Sequence, residues 1–113
     1  MKKISVVFVM FLLVFLVGCG DSPKSVAQKW QKAIIDSDLK AANALSTEKS
    51  QSCNALIIAM VSNKDHEFYT KFREKVFNKE EITGDKAVVT TDGSGKLDLV
   101  KQNGKWLVDV GKE

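Results

Sequence analysis

Behind its first twenty residues the chain changes rhythm once, from a repeat of three and four positions to an alternation of two. From Ser25 to Ile35 the apolar residues Val26, Ala27, Trp30, Ala33 and Ile34 share one helical face, and Lys24, Lys29, Gln31 and Lys32 take the remaining arc. Ser22 supplies an N-cap and Pro23 the first helical position, so a helix is expected to open there. Asp36-Ser37-Asp38 interrupts the pattern, and Asp38 can cap a short second helix through Leu39, Ala42 and Leu45. Gln51 to Val61 reads as a third helix, with Cys53, Leu56, Ile57, Met60 and Val61 on its apolar face. The stretch from Asp65 to Phe77 is ambiguous, and we read it as a helix end followed by a strand from about Arg73.

Past this point the punctuation is that of a β-meander. Thr83-Gly84-Asp85-Lys86, Asp92-Gly93-Ser94-Gly95 and Asn103-Gly104 are turn signals about ten residues apart. Asn103-Gly104 favours a two-residue type I′ loop, which fixes the register of the last hairpin. Gln102 then faces Lys105; on the core side Leu99 faces Val108, Lys101 faces Trp106 and Leu97 faces Val110, with the Lys101 stem along Trp106. Val100 with Leu107 and Asp98 with Asp109 fall on the opposite side. The expected fold class is α+β, three short amino-terminal helices packed on a curved antiparallel sheet of about four strands.

The amino terminus follows a different logic. Met1-Lys2-Lys3 is positive, and Ile4 to Val17 is apolar with Ser5 as its one polar residue. A helix of that run spans roughly 21 Å, short of the roughly 30 Å of bilayer hydrocarbon. It reads as the apolar region of a signal peptide. Leu16-Val17-Gly18-Cys19 resembles the lipobox of bacterial lipoproteins. That resemblance implies cleavage between Gly18 and Cys19 and a diacylglyceryl group on the Cys19 sulfur. Residues 1–18 would be the signal peptide, 19–22 the lipidated cysteine and its tether, and 23–113 a single domain.

Composition then narrows the picture. The 113-residue chain carries 17 Lys and Arg, 14 Asp and Glu and a formal charge of +3; without Lys2 and Lys3 the balance is 15 basic against 14 acidic, or +1. So even a balance, with the signs interspersed, gives no electrostatic footprint for nucleic acid. Thioether formation at Cys19 leaves Cys53 the one free thiol of the mature chain, which fits a buried small hydrophobe on the third helix.

Candidate chemistry is sparse. Asp98 opposite Asp109 could hold a weak cation or share a proton, but two solvated carboxylates screened by Lys96 and Lys112 fit as well. His66, the one histidine, stands between Asp65 and Glu67, and neighbours in sequence do not face one another on a helix. It could act as an acid or base beside Tyr69, or sit on the surface. Gly95-Lys96-Leu97 lacks the Ser or Thr of a phosphate loop, Asp92-Gly93-Ser94-Gly95 lacks the ligands of a calcium loop, and no serine lies in a Gly-x-Ser-x-Gly elbow. No catalytic residue, metal site or cofactor is assigned.

The stretches "SPKSVAQKWQKAIIDSDLKAANAL", "EEITGDKAVVTT" and "DLVKQNGKWLVDV" resemble a family of small bacterial lipoproteins with a nuclear-transport-factor-2-like (cystatin-like) domain. The likeness covers roughly Pro23 to Val110. It implies a sheet curved around the first helix into a cone, with Trp30, Met60, Tyr69, Phe72 and Trp106 as candidate lining residues. The function expected from it is a lipid-anchored envelope protein, on the periplasmic face of the outer membrane if the cell is Gram-negative. It would be a non-enzymatic binding or accessory domain for a protein partner or a small apolar ligand. The alternatives are an enzyme with acid/base residues in the cone and an inhibitory or protective interaction lipoprotein.

Overall fold

The computed structural model describes residues 21–63, 67–93 and 95–110. Gly18, Cys19, the apolar run before them and His66 lie outside the described residues. Among the described residues the architecture is α+β, with four α-helices followed by a four-stranded antiparallel sheet. Among the described residues no helix is long and apolar enough to cross a membrane.

Helix α1 covers Pro23–Ile35. The Ser22 hydroxyl accepts from the Ser25 N–H at 3.1 Å, and Val26, Ala27, Trp30, Ala33 and Ile34 are buried as the pattern requires. Ser37 ends the helix in the left-handed region at φ 58, while Asp38 N–H reaches the Ala33 carbonyl at 2.8 Å. This is a Schellman-type stop built on serine where glycine is the usual choice. Asp38 then caps α2, Leu39–Ala44, by accepting from Ala41 N–H at 3.1 Å.

A 3-10 turn, Glu48–Ser50, leads into α3, Gln51–Val61. Helix α3 departs from expectation, because its buried positions are Asn54 and Val61, with Ile57 and Ile58 half-buried. Leu56 is 62% and Met60 46% exposed, and Cys53 is half-buried with a free thiol. The apolar face named for this helix is therefore turned partly outward. A fourth helix, α4, Glu67–Glu74, occupies the ambiguous stretch. Phe68 and Phe72 sit four apart with ring centroids 6.3 Å away from one another, and Lys71 pairs with Glu67 at 2.9 Å. Both pairs fit the expected helix end, but no strand starts at Arg73, since the helix runs to Glu74 and the first strand begins at Lys79.

The sheet runs in order β1 (Lys79–Thr83), β2 (Lys86–Thr90), β3 (Lys96–Gln102) and β4 (Lys105–Val108). Leu99 pairs with Val108, Val100 with Leu107, Lys101 with Trp106 and Gln102 with Lys105, the register read from the turn. Asn103 and Gly104 take φ 53 and 80, both positive as type I′ demands. Ala87, Val89, Leu97, Leu99, Trp106 and Val108 point to the helices and are buried. The outer edge of β4 is covered, since Val108 N–H donates to Leu45 O at 2.8 Å and Thr47 N–H to Val108 O at 2.9 Å. Edge strand β1 is exposed throughout and carries Lys79, Glu80 and Glu81, charges that discourage pairing with another chain.

Candidate functional site

The interior is assembled around α1. Trp30, 2% exposed, packs edge-on against Phe72 with ring centroids 5.9 Å apart. Phe77, Leu99 and Val108 complete the apolar layer. Of the five candidate lining residues, Trp30, Phe72 and Trp106 are buried and Tyr69 is half-buried against the same core. Met60 is not with them. It lies on the outer side of α3, because the inner side is held by a polar residue.

That residue is Asn54, wholly buried. Its carbonyl oxygen accepts from Trp30 Nε1–H at 2.9 Å. Its amide nitrogen donates to Ser46 Oγ at 3.0 Å and to Asn43 Oδ1 at 3.1 Å. Ser46 Oγ in turn donates to the Ala42 carbonyl at 2.7 Å. Beside it, Ser50 Oγ accepts from Val110 N–H at 2.8 Å and lies 2.7 Å from Thr47 Oγ1. Two small polar clusters thus tie α1, α2, α3 and the end of β4 together. No buried side-chain polar atom among the described residues lacks a partner.

Gln31 belongs to the same economy. Assigned by pattern to the solvent arc of α1, it is 9% exposed and donates to the carbonyls of Phe72 at 2.9 Å and Lys75 at 2.7 Å. It satisfies carbonyls that the end of α4 leaves open. Gln28 does likewise for Phe77 O at 2.8 Å. Pattern reading missed Asn43, Ser46, Ser50 and Asn54; their spacing of three and four positions, and a third helix with no charged residue, are the signals that could have exposed them.

The outward side of α3 is unusual for a surface helix. Gln51–Val61 contains no Asp, Glu, Lys or Arg, and Ala55, Leu56, Ala59 and Met60 are exposed along it. Elsewhere among the described residues Leu39, Val76 and Ile82 are the exposed large apolar side chains. The side-chain hydrogen bonds of Lys32 with Asp36 and of Lys71 with Glu67 hold both ammonium groups above the usual lysine range. Both pairs are exposed, each lying four residues apart on a helix's solvent side.

Asp98 and Asp109 come together as the register requires, with Asp109 N–H donating to Asp98 O at 2.9 Å. Asp109 Oδ1 also accepts from Thr47 Oγ1 at 3.3 Å. No group of three or more acidic, histidine or cysteine side chains suited to a metal occurs among the described residues. On the helix side, the Lys101 ammonium lies 5.7 Å from the centre of the Trp106 ring, the stacking expected from the hairpin. Near it a cavity of about 220 Å³ is lined by Val26, Ala44, Leu45, Trp106 and Leu107 beside Asp21. It is below the roughly 300–1,000 Å³ typical of small-molecule sites.

Compared with protein-family models, curated proteins and solved structures, the chain matches none.

Proposed function

We propose that this chain is a bacterial lipoprotein, acylated on Cys19 after removal of residues 1–18, whose domain binds a protein partner at the cell envelope. The anchor reading rests on Leu16-Val17-Gly18-Cys19 at the end of a positive-then-apolar leader. Two acyl chains suffice for stable attachment, where one is marginal. The partner reading rests on one observation: the charge-free outer side of α3, with Leu56 62% and Met60 46% exposed. Contiguous exposed apolar surface of that kind marks contact sites. A small apolar ligand is the weaker reading, because Trp30, Phe72 and Phe77 fill the interior where it would sit.

A nuclear-transport-factor-2-like cone is the finer form of the fold we propose. It is supported by the way the start of α1 meets both edges of the sheet. Lys24 N–H donates to Glu80 Oε1 of β1 at 2.8 Å, while Val26 shares a cavity wall with Trp106 and Leu107 of β4. Two strands stand between those edges, roughly 14 Å on a flat sheet, so a sheet curling around the helix accounts for the reach.

Both parts are testable. Cys19→Ala should abolish the diacylglyceryl mass carried by the purified protein; a wild-type protein without that mass would defeat the anchor. A photo-crosslinking residue in place of Leu56, in cells, should give a discrete adduct that Met60→Glu abolishes. An adduct pattern indifferent to Met60→Glu would defeat the α3 contact.

A further inference from the structure

We infer that the end of the domain formed by the start of α1 and the tip of the β3–β4 hairpin rests on an anionic lipid surface. The inference depends on the acylation of Cys19 proposed above. Only Gly20 separates Cys19 from Asp21, a reach of at most about 7 Å over the two residue steps. Asp21 is itself fixed to the domain. Its carboxylate pairs with Lys29 at 2.9 Å, and it borders the same cavity as Gly104 and Lys105. Little slack remains, so the hairpin tip lies about one Debye length from the headgroups, close enough for its charges to count.

Those charges are of the attracting sign. Lys101 and Lys105 are exposed on the hairpin, and Lys24 stands in the first turn of α1. Of the acidic groups at this end, Asp21 is engaged by Lys29 and the Glu80 carboxylate accepts from the Lys24 N–H at 2.8 Å. Asp85, whose carbonyl accepts from Lys101 N–H at 2.8 Å, is offset by its neighbour Lys86. The Lys101 side chain lies over the buried Trp106 ring, which steadies its ammonium at the exposed surface of the hairpin. Lysines near an anionic leaflet each add attraction that falls away within a Debye length.

The test uses the mature acylated protein, carrying Cys53→Ser, reconstituted in phosphatidylethanolamine vesicles with phosphatidylglycerol. A fluorophore is attached through Gln102→Cys at the hairpin tip or Gly93→Cys at the opposite end of β3, where an added Cβ meets nothing within 4 Å. Headgroup spin-labelled lipid should quench the probe at 102 several-fold more than the probe at 93. The contrast should shrink in phosphatidylcholine vesicles and on Lys24→Glu with Lys105→Glu, with circular dichroism unchanged. Equal quenching at the two sites in protein whose mass shows acylation overturns the orientation. A contrast indifferent to lipid charge overturns the electrostatic contact. An unacylated Cys19 overturns the lipoprotein reading itself, and its mass separates that failure from the other two.

Discussion

Helices α1 and α3 are close in length and touch at Trp30 and Asn54, yet they obey opposite rules. Helix α1 buries its apolar face, exposes its lysines, and is closed at both ends by its own neighbours, Ser22 and the Ser37 turn. Helix α3 buries an asparagine and exposes Leu56 and Met60. Its preceding serine makes no cap, because Ser50 is occupied with Val110 and Thr47. The difference teaches that periodicity predicts which side of a helix is buried only when the helix has a polar side to contrast with it. In α3 almost every position is apolar or small, so the decision passes to Asn54, which alone can answer the buried indole N–H of Trp30.

Substitutions at four positions probe that contrast. Trp30→Ala should be the most damaging, at about 3–5 kcal/mol, because it empties the centre of the core and orphans Asn54. Urea unfolding would measure it, and a loss below about 1 kcal/mol would mean that α1 does not organise the interior.

Asn54→Ala should cost about 2–3 kcal/mol by leaving the Trp30 N–H and Ser46 without their partner. The double variant Trp30→Phe with Asn54→Leu should be more stable than the two single losses added together, since both polar partners then leave at once. Strict additivity would break the argument for the inverted helix.

Ser37→Gly should raise stability by about 0.5–1 kcal/mol, relieving a left-handed serine at the end of α1. A thermal midpoint that falls would count against the strain. Leu56→Lys should change stability by less than about 0.5 kcal/mol, being solvent-exposed on α3, while removing the crosslink to a partner. A large loss of stability would place Leu56 inside the fold.

Much of this architecture is legible in the sequence where local chemistry decides. Asn103-Gly104 dictates a turn type, the turn dictates a register, and the register puts Trp106 and Val108 inside together. Pro23 after Ser22 is similarly explicit. What escapes is decided by tertiary partners. Nothing near Asn54 in the chain announces Trp30, and nothing near Gln31 announces the carbonyls of Phe72 and Lys75. Phe72 suits a strand or a helix until Trp30 offers a ring to pack on, and Val76 ends in neither, 60% exposed. Of the candidate lining residues, Trp30 lies on a helical face with a clear polar complement and Trp106 is placed by the hairpin register, whereas Met60 stands on a helix without a polar complement.

The central claim is that Cys19 carries the lipid and begins the mature chain. The intact mass of the protein purified from its native membranes measures this directly. The account predicts a chain starting at Cys19 with the added mass of a diacylglyceryl group, and full loss of that mass in Cys19→Ala. A wild-type chain that retains residues 1–18, or one that begins at Cys19 without added mass, would contradict it.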